Sequence, residues 1–77
     1  MAIYAVSSGY GYNVALGKER YEGIPAALEA AKKAHAKLRG RKKWKGTPVA
    51  LVCNVGGGGE MIVAAVSGEE GIVERYV

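Results

Sequence analysis

One stretch of helical periodicity, and only one, runs through the 77 residues. Ile24, Ala27, Leu28, Ala31, Ala34, His35 and Leu38 recur at spacings of three and four and form a single apolar stripe, with Glu29, Lys32, Lys33, Ala36 and Lys37 opposite. Pro25 suits the first helical position, where an N–H is not needed, and Gly40 is a natural stop. The spacing predicts a helix over residues 25–39. Within it Glu29 and Lys33 stand as an i, i+4 pair in the favourable order, worth ~0.3 kcal/mol.

The remaining apolar residues follow strand patterns. IYAVSS (3–8) and YNVALG (12–17) read as two strands joined by Gly9, Tyr10 and Gly11 as a tight hairpin. In the second strand Tyr12, Val14 and Leu16 alternate with smaller or polar residues, which predicts one buried side. After the helix, Pro48 can open a strand, a position where proline is tolerated. VALVCNV (49–55), EMIVAAV (60–66) and IVERYV (72–77) then read as strands separated by the glycine run 56–59 and the turn SGEEG (67–71). The order β-β-α-β-β-β implies a single α+β domain over 1–77: an antiparallel sheet of about five strands with one helix on one face. No repeat or linker interrupts it.

A single helix covers one side of a sheet, yet the third and fourth strands are apolar on both. Val49, Leu51, Cys53 and Val55 alternate with Ala50 and Val52, and Met61, Val63 and Ala65 with Ile62, Ala64 and Val66. Large exposed apolar surfaces mark interfaces. Either a second copy covers the free face, making a homodimer, or the sheet curls over its own small core.

Composition narrows the function classes. Hydrophobic residues make up 49% of the chain, enough for a compact core and too many for a disordered segment. No apolar run approaches the ~20 residues that cross a bilayer, so no membrane partner is expected. The start, MAIYAVSS, has no basic leader or long apolar stretch, and the lone Cys53 forms no internal disulfide; both point to the cytoplasm. With one cysteine, one histidine and no aspartate, residues for zinc, magnesium or calcium sites are lacking, and no cofactor is expected.

Charge is unevenly placed along the chain. Lys32, Lys33, Lys37, Arg39, Arg41, Lys42, Lys43 and Lys45 fall within fourteen residues that contain no acid. Glu60, Glu69, Glu70 and Glu74 dominate the last eighteen residues, against Arg75 alone. A basic pole and an acidic pole are expected, a layout that steers association with a polyanion or an acidic protein face.

GRKKWKG (40–46) concentrates this character by placing Trp44 among Arg41, Lys42, Lys43 and Lys45. Cations contact phosphates while an aromatic ring stacks on a base, at ~1–3 kcal/mol per base. The bland alternative is a solvated loop with Trp44 folded onto the sheet. Tyr10 and Tyr12 are further candidates for stacking. Their context, Gly9-Tyr10-Gly11-Tyr12, resembles part of the first ribonucleoprotein motif of RNA-recognition domains. The resemblance spans four residues, Ser8 stands where that motif has a basic residue, and the element order differs, so no fold or role is carried over.

Catalysis has little raw material. His35 lies in the helix stripe with no nucleophile fixed beside it by spacing, and VGGGGE (55–60) lacks the Gly-Lys-Ser/Thr ending and following helix of a phosphate loop. The sequence therefore points to a non-enzymatic binding module whose residues 32–45 engage nucleic acid. The alternative is an inhibitor or adaptor binding a host protein through the same surface. In size and layout the chain is similar to phage-encoded inhibitors such as the anti-CRISPR proteins.

Overall fold

The computed structural model describes residues 2–41, 46–57 and 59–76. Its elements follow the expected order: β1 (Tyr4–Tyr10), β2 (Asn13–Leu16), α1 (Ile24–Arg39), β3 (Pro48–Asn54), β4 (Met61–Ser67) and β5 (Ile72–Arg75). All five strands join one antiparallel sheet in the spatial order β2-β1-β3-β4-β5. The helix lies across β1, β3 and β4. This is the α+β architecture that the sequence predicts.

The core sits between the helix stripe and one face of the sheet. Ala27 and Ala31 of α1 are completely buried, and they meet a floor of Val6, Ala50, Val52, Ala64 and Val66. Alanines on both surfaces let the helix backbone come close to the strands, and Tyr4, Tyr21, Ile24 and Leu28 close the sides. Tyr21 is itself held by a two-way backbone bridge to Tyr4, each bond 2.8 Å. Val63 is the extra residue of a bulge, since Val52 pairs with Ala64 while Cys53 pairs with Ile62. The bulge turns Val63 into the core beside Ala64, and its carbonyl accepts the Tyr76 N–H at 2.9 Å.

Three expectations change. β1 runs on to Tyr10, and the hairpin turn is Gly11–Tyr12 rather than Gly9–Gly11. The physical reason is Gly11, whose φ of 61° lets a two-residue turn match the strand twist. Tyr12 thereby leaves the strand for the turn. Val14 and Leu16 pair with Gly9 and Ser7, which puts them on the face away from the helix, 38% and 39% exposed instead of buried. Second, Glu29 bonds Lys32 at 3.6 Å, an i, i+3 pair between two exposed side chains, in place of the Lys33 pair. Third, the helix stops at Gly40 without a left-handed cap, for Gly40 keeps φ −77°. Its N–H still reaches Ala36 O at 3.2 Å, and Arg41 N–H reaches Leu38 O at 3.1 Å.

Candidate nucleic-acid interface

Antiparallel pairing gathers one end of the molecule from distant parts of the sequence. The end of β1, the start of β3 and the β4–β5 turn all lie there, because Tyr10 pairs with Pro48 and Gly68 N–H donates to Pro48 O at 3.1 Å. The C-terminal end of α1 joins them through Tyr10, whose hydroxyl donates to Leu38 O at 2.6 Å.

This end holds both roots of the basic segment. Arg41 leaves the helix, and the chain returns at Gly46 and Thr47, where Gly11 N–H donates to Thr47 O at 2.8 Å. Gly46 has φ 126°, and a Cβ there would lie 3.3 Å from the Tyr10 Cβ, so glycine fits a place that other residues would strain. Lys42, Lys43, Trp44 and Lys45, the centre of the predicted surface, lie outside the described residues.

Lys32, Lys33, Lys37, Arg39 and Arg41 are all exposed. At about 100° per residue, Lys33 and Lys37 point away from the sheet. Lys32 and Arg39 flank the helix toward the β4–β5 turn and, with His35 and Glu70, line a shallow cleft of about 420 Å³. Of the two candidate tyrosines, Tyr12 is fully exposed at the hairpin tip beside the roots of the basic segment. Tyr10 is half-buried and engaged with Leu38. Its hydroxyl serves the fold, and its ring is not displayed as that of Tyr12 is.

The two charge poles are not opposite ends. Glu69 borders the same cleft as Arg39 and Arg41, and Glu70 the same cleft as Lys32 and Arg39. The fold returns the acidic turn 67–71 to the helix C-terminus, so acids and bases that are far apart in sequence share one end. Spacing along the chain gives no sign of this; it follows from the sheet order.

His35 is buried, and its Nε2 lies 2.6 Å from Gly68 O. A carbonyl only accepts, so Nε2 carries the proton. The ring packs on Gly71, where a Cβ would lie 3.3 Å from its edge. The histidine thus ties the β4–β5 turn to the helix. Cys53 is a buried free thiol whose Sγ lies 3.8 Å from Ser7 Oγ. Among the described residues, no three His, Cys, Asp or Glu side chains gather as a metal site would need, and no helix is long and apolar enough to cross a membrane.

Compared with protein families, curated proteins and solved structures, the chain has no significant match.

Proposed function

We propose that this protein is a non-enzymatic binding module that engages nucleic acid through its basic end. One observation carries the reading. Five exposed cations, from Lys32 to Arg41, lead along the helix into a further basic segment; one root of it follows the helix end that Tyr10 of β1 holds, and the other, at Thr47, is bonded to Gly11 of the β1–β2 turn. Exposed cations on a rigid element meet phosphates without first being ordered, and they release counterions as they do so. Lys33 and Lys37 point away from the sheet and so from the Glu69–Glu70 turn, and Lys42, Lys43 and Lys45 continue the charge in sequence. Trp44 and Tyr12 supply the rings for stacking, which favours single-stranded or distorted segments whose bases are accessible. Fluorescence anisotropy with short labelled DNA and RNA strands tests the reading. Binding whose affinity falls steeply with salt supports it, and flat, millimolar binding to every strand type removes it.

A second reading has its own support. Glu69 and Glu70 beside Arg39 and Arg41 give this end a mixed-charge surface, better suited to a protein face than to bare phosphate. An inhibitor or adaptor of that kind captures one protein from a nuclease-treated lysate and loses it when Lys42, Lys43, Trp44 and Lys45 are replaced by alanine.

A further inference from the structure

The cleft between α1 and the β4–β5 turn holds one polar group that the fold leaves unused. His35 is 4% exposed, and its Nε2–H donates to Gly68 O at 2.6 Å. In the neutral ring Nδ1 is then an acceptor, and among the described residues it has no partner. None of the described side-chain nitrogens and oxygens is both unpartnered and sealed from solvent. Nδ1 therefore opens on the cleft that His35 lines. A nearly buried acceptor that lacks a donor points to a ligand that brings one.

The rest of the lining narrows the chemistry. Lys32 and Arg39 stand on the same side of α1, two turns and about 10 Å apart along its axis, with His35 between them. Arg39 makes no ion pair among the described residues, and Lys32 has only the 3.6 Å contact with Glu29. Each end of the helix side thus offers a cation. Glu70, on the β4–β5 turn, adds a second acceptor, while Val66 and Gly71 contribute no polar side chain. The volume, about 420 Å³, falls in the range of small-molecule sites. Two cations, two acceptors and an apolar floor fit an anionic ligand that also carries hydrogen-bond donors.

We infer that this cleft takes one unpaired nucleotide of a single strand, and that guanine is the base it fits best; the inference deepens the nucleic-acid reading and rests on it. Within a strand each nucleoside lies between two phosphates, which Lys32 and Arg39 meet from the two ends. The base lies inward over Val66 and Gly71, and its edge donates to His35 Nδ1 and to the Glu70 carboxylate. Guanine carries two neighbouring donors on its Watson–Crick edge, N1–H and the 2-amino group. Adenine and cytosine carry one amino group beside an acceptor. Uracil sets two carbonyl oxygens around a single N–H, and those oxygens face the Glu70 carboxylate with like polarity. A site built to hydrogen-bond its ligand rejects one that leaves its polar groups unpaired. Base pairing hides this edge, so the cleft reads single strands. Glu70 therefore repels phosphates in general and accepts from one base in particular.

Fluorescence anisotropy with a short uridine strand, and with the same strand carrying one guanosine at its centre, tests the inference. It is read together with the nitrogen-15 resonance of Nδ1 in His35, the only histidine of the chain. The guanosine strand is expected to bind about tenfold more tightly and to move the Nδ1 resonance upfield as that nitrogen accepts a hydrogen bond. The uridine strand is expected to leave it near its free position. Glu70→Gln is expected to tighten the uridine strand, whose phosphates it no longer repels, and to narrow the preference to about twofold. Equal affinity for the two strands, an Nδ1 resonance unmoved at saturation, or a preference that Glu70→Gln leaves at full strength overturns the assignment of the cleft while the nucleic-acid reading stands. Absence of binding to either strand overturns both. The resonance is read on the unaltered protein, so the outcome does not hang on the folding of a variant.

Discussion

The Tyr10 hydroxyl donates a 2.6 Å hydrogen bond to the Leu38 carbonyl and so ties the end of β1 to the last turn of α1. That one bond joins the hairpin bearing Tyr12 to the helix bearing the cations. Tyr10→Phe removes it and keeps the ring. The Leu38 carbonyl still accepts from Arg41 N–H at 3.1 Å, so the expected loss is about 0.5–1 kcal/mol, read as a lower urea midpoint at unchanged slope.

The close approach of helix and sheet predicts intolerance of bulk. Ala31 is fully buried over the small residues of β3 and β4. Ala31→Leu forces the helix outward and is expected to destabilise the fold by about 1–3 kcal/mol. Ala36→Leu, on the exposed side, is expected to leave the melting temperature nearly unchanged.

Two glycines of the β4–β5 turn have positive φ, 80° at Gly68 and 69° at Gly71. A side chain at Gly68 meets open space, while at Gly71 it also presses on the His35 ring at 3.3 Å. Alanine in this region of backbone is strained by ~1–2 kcal/mol. Thermal unfolding should therefore rank Gly71→Ala below Gly68→Ala, with both below the unaltered protein.

The helix was readable in sequence because a stripe of seven residues at period 3.6 has no competing interpretation. The strands were readable too, although periodicity alone could not place the Gly11 turn one step later and so mistook the side on which Val14 and Leu16 lie. The Val63 bulge has no signature in a run of apolar residues. The nearness of Glu69 and Glu70 to Arg39 was hidden for another reason: it depends on β4 and β5 folding back beside the helix end, a long-range outcome. For the site, composition pointed to residues 32–45, but spacing could not tell a displayed tyrosine from one engaged in the fold. Tyr10 and Tyr12 are two positions apart, yet one is half-buried and bonded to the helix end while the other is fully exposed.

If the acidic turn tempers the basic end, removing its charge should help a polyanion bind. Glu69→Gln with Glu70→Gln is expected to tighten DNA or RNA binding several-fold at low salt, with the gain fading as ionic strength rises. Anisotropy titrations of that double variant check it, and weaker nucleic-acid binding would favour the protein-partner reading.

If the cations of residues 32–45 bind nucleic acid as proposed, affinity must depend strongly on salt. Neutralising ~4–6 phosphates gives a slope of log affinity against log salt of roughly −4 to −5 on duplex DNA. Replacing Lys42, Lys43, Trp44 and Lys45 by alanine should reduce that slope by about 2 to 3 and weaken binding at every salt concentration. A slope near zero in the unaltered protein, or one that the replacement leaves unchanged, would contradict the account.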